Sequence, residues 1–174
     1  MEEAEVPLEG LQEHIEHGAK HGATWVSWVA LSTAILAVLA AITGLLSGSR
    51  VNEAMMNQIE ASDQWAYYQA KGIKSAVLDA KMSLSAQPNE GDKEKADRYQ
   101  EEQSEIQKEA KEKETEAKHS FHQHEVFSRG VTMFQIAIAV AAISALTGKR
   151  RFWLVSLGFG VAGAVFLVLG FLTH

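Results

Sequence analysis

"ATWVSWVALSTAILAVLAAITGLL", from Ala23 to Leu46, is 24 residues without a charge. The hydrocarbon core of a bilayer is about 30 Å thick, and a helix rising 1.5 Å per residue crosses it in about 20 apolar residues. This block therefore reads as a membrane span with some tilt. Trp25 and Trp28 stand at its start, where an interfacial aromatic belt is expected. The plain alternative is the buried core helix of a soluble protein, but such helices rarely stay free of charge over this length.

Two further apolar blocks follow. "GVTMFQIAIAVAAISALT" (Gly130 to Thr147) is short for a span but uncharged, and "FWLVSLGFGVAGAVFLVLGFLT" (Phe152 to Thr173) is long enough. Only Gly148, Lys149, Arg150 and Arg151 separate them, which predicts a tight membrane hairpin. The averages hide this partition: a net charge of -6, with 22% charged and 47% hydrophobic residues, looks unremarkable for a globular chain. There is no cysteine, which removes disulfides and cysteine metal sites. The acidic balance gives no footprint for nucleic acid. The opening "MEEAEVPLEG" is acidic where a cleaved signal peptide would be basic, so none is expected.

Between the first and second spans lies a polar insert that reads as two helices. The first runs from about Ser49 to Ala86, and "QPNEGD" (Gln87 to Asp92) supplies a turn. The second runs from Lys93 to about Phe127, with Glu94–Arg98, Glu109–Lys113 and Glu114–Lys118 in the favourable i, i+4 order. The expected architecture is all-α: three transmembrane helices with a long extramembrane antiparallel helical hairpin, coiled-coil-like, between the first and second. The divisions are an acidic amphipathic segment 1–22, span 23–48, hairpin 49–129, span 130–147, basic loop 148–151 and span 152–173. Two helices of nearly 40 residues would reach about 50 Å from the bilayer. The short Lys149–Arg151 loop places the N-terminus and that loop in the cytoplasm by the positive-inside rule, and the hairpin in the periplasm. Arg50, Lys113, Lys118 and Arg129 flank the insert as a counter-signal, but long inserts weigh less in that rule.

"ASDQWAYYQAKGIKS" (Ala61 to Ser75) puts three aromatics into this polar insert. At 100° per residue, Met55, Ile59, Ala66, Ile73, Val77, Ala80 and Leu84 share one stripe. Ala54, Ala61, Trp65, Tyr68, Gly72 and Ala76 make a second beside it, while Tyr67 falls on a polar side with Asp63, Lys71 and Lys74. The second insert helix offers one thin seam: Ala96, Tyr99, Gln103, Ile106, Ala110, Ala117 and Phe121. One seam covers one stripe. The expectation is that Ala61, Trp65, Tyr68, Gly72 and Ala76 meet another protomer. Cover by the second helix's own side chains, or an aromatic ligand site, are the alternatives.

The segment "NQIEASDQWAYYQAKGIKS" (Asn57 to Ser75), after an Ala- and Leu-rich first span, resembles the signature of an uncharacterised bacterial membrane family, domain of unknown function 4337. The similarity extends from "VPLEGLQEHIEH" through "FSRGVTMFQIAIAVAAISALTGKRRFW". It implies an integral inner-membrane protein, and it supplies no catalytic residue to carry over.

Histidines cluster twice. His14, His17 and His21 fall at i, i+3 and i+7 on one helical face, a spacing that can hold zinc, nickel or copper. Gly18 and Gly22 are expected to interrupt that helix, so a solvated interfacial segment is the blander reading. His119, His122 and His124 precede the second span, with a metal or pH-sensing role as the sharper reading and a solvated border as the plainer one. No phosphate loop, HExxH or nucleophile elbow appears, so no enzyme and no cofactor are expected. The three blocks hold no Asp, Glu, Lys, Arg or His, which argues against a charged ion path. Thr132, Gln135, Ser144 and Ser156 are expected to hydrogen bond between helices. Small residues every four positions (Ala30 and Ala34; Ala137, Ala141 and Ala145; Gly160 and Ala164) are expected to pack helices in the membrane.

The function expected is non-catalytic: a bacterial inner-membrane protein that self-associates as an assembly, scaffold or accessory subunit, with the lipid bilayer and a larger membrane complex as partners. An oligomeric channel or stator-like transport subunit is the alternative, resting on the order span, helical insert, span, span. A metal- or pH-sensing membrane protein comes third.

Overall fold

The computed structural model describes residues 8–85 and 89–173, with side chains from residue 24 onward. The chain is all-helical: α1 spans Leu8–Leu84 (77 residues), α2 Glu90–Thr147 (58 residues) and α3 Arg150–Leu172 (23 residues), and no strand occurs among the described residues. Each helix carries a window long and apolar enough to cross a membrane. That is the pattern of a multi-pass membrane protein.

α1 continues through Gly18 and Gly22, so the expected interruption there does not occur. A glycine costs a helix interior only about 1 kcal/mol relative to alanine, too little to break a helix with strong helix formers on both sides. The second helix of the insert also starts earlier than Lys93, because α2 begins at Glu90. Asn89 caps it. Its carbonyl accepts the Asp92 and Lys93 amides (3.0 and 3.3 Å) and its Oδ1 accepts the Gly91 amide at 3.1 Å. Glu90 and Asp92 then place negative charge at the positive end of the helix.

The chain divides into two compact units. The first takes α1 up to Leu45, α2 from Val126, and α3. Its core is built on close approach. Phe134 is fully buried and packs with Leu36 and Ala137, and Phe127, Val29 and Ala141 are buried elsewhere along the helices. α3 supplies glycines where these side chains land: a Cβ on Gly163 would lie 2.8 Å from the Phe134 ring, one on Gly160 2.6 Å from Leu36, and one on Gly170 inside the Phe127 ring's contact distance. Two hydrogen bonds fix the register, from Trp153 Nε1 to Ser32 Oγ (3.1 Å) and from Ser156 Oγ to the Ala137 carbonyl (2.7 Å). The outside is apolar, with Ile35, Val38, Ile42, Leu154, Val161, Val165 and Val168 exposed. In water such a surface would aggregate, whereas in lipid it is the ordinary outer face.

The second unit pairs the rest of α1 with the first part of α2. Its contacts join Ser47 to His124, Glu60 to Lys113, Trp65 to Glu114, Lys71 to Glu102 and Lys81 to Asp92, so the two helices run antiparallel. Along α1 the buried or half-buried positions include Ser47, Arg50, Ala54, Asn57, Ala61, Gln64, Tyr68, Lys71, Ser75, Leu78 and Met82. On α2 they include Asp92, Ala96, Tyr99, Gln103, Ile106, Ala110, Lys113, Ala117, Ser120 and His124. Both series alternate steps of three and four, the heptad spacing of two helices that stay in contact along their length.

Candidate interaction faces

The seam of the second unit is polar to an unusual degree. Lys71, placed on a polar outer side by its sequence position, is 9% exposed and forms an ion pair with Glu102. Its ammonium also lies 5.1 Å from the Tyr67 ring centre and 4.8 Å from that of Tyr99, within cation–π range. The hydrogen bond to Glu102, and then that to Tyr67, holds the Lys71 ammonium above the ordinary lysine range. The same bond from Lys71 holds the Glu102 carboxyl below the ordinary carboxylate range. Further along, Glu60 and then Glu116 raise Lys113.

The aromatics belong to this seam, which corrects the expectation that their stripe lies outside it. Trp65 Nε1 donates to Glu114 Oε1 at 2.9 Å and its ring meets Tyr68 edge-on at 5.5 Å. Gln103 Nε2 donates to the Tyr68 carbonyl at 3.0 Å, passing over Gly72, where a Cβ would sit 2.6 Å from that nitrogen. Ala61 is completely buried and Ala76 is exposed. The physical reason lies on α2. Its seam is thin in apolar groups but rich in long polar ones, so it accepts the face with small residues and hydrogen-bonding aromatics. On α2, Ala96, Ile106, Ala110 and Ala117 are buried, whereas Phe121 is half exposed.

The stripe left outside is the more apolar one. Met55 and Ile59 are each 59% exposed, Ile73 65%, Val77 61% and Leu84 88%, with Ala66 and Ala80 exposed between them. Val51, Met55 and Ile59 line a shallow groove with Ala117 and Phe121.

In the first unit Ala137, Ala141 and Gly160 are buried and Ala164 packs partly buried on the core, while Ala145 is exposed. Of the four polar groups singled out, Ser156 bonds across helices. Ser144 bonds to the Lys149 carbonyl and Thr132 to its own helix at Ser128, so these two do not bridge spans. Thr43, fully buried and not singled out, donates to the Leu39 carbonyl at 2.7 Å. His14, His17 and His21 lie on α1, but their side chains fall outside the described residues. His119 and His122 are exposed, and His124 Nδ1 stands 2.9 Å from both the carbonyl and the Oγ of Ser47. Among the described residues no group of three or more His, Cys, Asp or Glu side chains converges as metal ligands would.

No curated protein and no solved structure matches the chain. One family profile does, over residues 25–173, and it covers both units. The chain belongs to the family described as domain of unknown function (DUF4337).

Proposed function

We propose that this protein is a non-catalytic subunit of the bacterial inner membrane. It self-associates through an extramembrane, coiled-coil-like helix pair and acts as an assembly or scaffold element. The observation that carries this is the inverted distribution in the second unit. Its internal seam is built on Lys71, Ser75, Gln103 and Glu102, while Met55, Ile59, Ile73, Val77 and Leu84 face outward. With the exposed Ala66 and Ala80 counted in, that outer stripe also repeats in steps of three, four and seven, the spacing by which a helix meets another helix. Contiguous exposed apolar groups of this kind mark a contact surface, and a second copy of the same stripe is self-complementary under two-fold symmetry.

The channel reading has less behind it. Thr43, Ser144 and Ser156, the fully buried hydroxyls of the first unit, direct their donors to backbone carbonyls.

The chain has no native cysteine, which makes a crosslinking test direct. With Val77→Cys as the sole thiol, mild oxidation in native membranes should give a disulfide-linked dimer. Tyr67→Cys, beside the seam, should give much less. Equal and low crosslinking at both positions would reject self-association through this face.

A further inference from the structure

Where α3 begins, the first unit concentrates positive charge. Lys149, Arg150 and Arg151 are consecutive and all exposed. The described side chains of this unit include no Asp or Glu to face them. The cations are held on a fixed frame. The link between α2 and α3 is only Gly148 and Lys149, with Gly148 at φ 64°. Ser144 Oγ donates to the Lys149 carbonyl at 3.0 Å, and the Phe152 amide donates to it at 3.2 Å.

Aromatic groups stand at the same end. The Arg150 guanidinium lies 6.0 Å from the Trp25 ring centre, Trp28 is 59% exposed, and the Trp153 indole is anchored on Ser32. From Arg150, α3 runs 23 residues to Leu172, about 34 Å of helix. That length matches the hydrocarbon thickness, so these cations stand at the level of the lipid headgroups. Indoles partition to that same level.

The geometry points to a binding surface for anionic phospholipid headgroups formed by Lys149, Arg150 and Arg151 beside Trp25 and Trp28. The phosphodiester meets the guanidinium and ammonium groups, and the indoles lie against the upper acyl chains and glycerol region. A basic side chain near an anionic surface favours binding by roughly fivefold. Three acting together favour an anionic lipid over a zwitterionic one by tenfold or more.

The test is native mass spectrometry of the full-length protein in detergent with equimolar phosphatidylglycerol and phosphatidylcholine. The wild type should carry phosphatidylglycerol in at least tenfold preference. The variant Lys149→Gln, Arg150→Gln, Arg151→Gln should lose that preference while keeping its helical circular dichroism. A charge-matched control, Lys108→Gln, Lys111→Gln, Lys118→Gln on the exposed side of α2, should keep it. If the triple variant fails to fold, Lys149→Arg, Arg150→Lys, Arg151→Lys should retain the preference and Lys149→Gln alone should weaken it. Equal binding of the two lipids by the wild type would overturn the proposal, as would an undiminished preference in the triple variant. Displacement of phosphatidylglycerol by millimolar inorganic phosphate would also overturn it, in favour of a soluble-anion site.

Discussion

At the scale of single residues, the ion pair of Lys71 and Glu102 makes the second unit's stability depend on pH at both ends. Glu102 is held below the ordinary carboxylate range by Lys71, so its contribution is complete above that range and fades as pH falls through the lowered value. Lys71 is held above the ordinary lysine range, so its contribution is complete below that range and is lost as pH rises through the raised value. Melting followed by circular dichroism should therefore show a plateau through neutral pH with a fall on each side. Glu102→Gln should lower the plateau and flatten the acid limb, and an unchanged acid limb would mean the pair is inert. In the first unit, Gly163→Ala drives a methyl group into the Phe134 ring. It should lower stability against dodecyl sulfate by about 1–3 kcal/mol. Gly158→Ala, which meets no atom within 4 Å, should be neutral or slightly stabilising.

At the scale of the helix, the two stripes of α1 make opposite predictions. Trp65→Ala removes a half-buried ring and leaves Glu114 without its indole donor. It should lower the melting of the helix pair by about 2 kcal/mol. Ile73→Ala sits on a position 65% exposed, so melting of the isolated protomer should move by less than about 0.5 kcal/mol. Its effect belongs in the native mass of the assembly, where the oligomer should dissociate at higher dilution. The reverse pattern, with Ile73→Ala melting early and Trp65→Ala dissociating, would return the interface to the aromatics. Which stripe faces inward was not legible at 100° per residue, and the reason is specific. The true α1 seam includes Ser47, Arg50, Asn57, Gln64, Lys71 and Ser75. A search for apolar repeats passes over such a series. These residues are inside because their partners on α2, among them Glu102, Gln103 and His124, lie 31 to 77 residues away in sequence. The spans were legible for the opposite reason: an uncharged run of 24 residues needs no partner to declare itself. Within them, however, the landing of Phe127, Phe134 and Leu36 on particular glycines depends on helix register, which composition does not carry.

At the scale of the whole chain, three spans place the start of the first and the loop joining the last two on one side of the bilayer. Within the first unit, Trp25 and Arg150 do share one end. A three-span topology predicts the insert between the first two spans on the other side. Which side faces the cytoplasm is decided by insertion. Short loops rich in Lys and Arg are retained inside, and long segments cross with little regard for charge. Lys149, Arg150 and Arg151 sit in a link with only two non-helical residues, so they should dominate over Arg50 and Arg129. The prediction is a cytoplasmic basic loop and a periplasmic helix pair. Single cysteines at Asn89 and at Arg150, treated with an impermeant maleimide in intact spheroplasts, read this directly. Asn89→Cys should label before lysis and Arg150→Cys only after it. Labelling of position 150 but not 89 in intact spheroplasts would invert the orientation. Labelling of both would exclude a membrane crossing between positions 89 and 150, and with it the three-span topology. The same outcome bears on assembly: a periplasmic apolar stripe meets envelope proteins or its own copies, whereas a cytoplasmic one meets a different set of partners altogether.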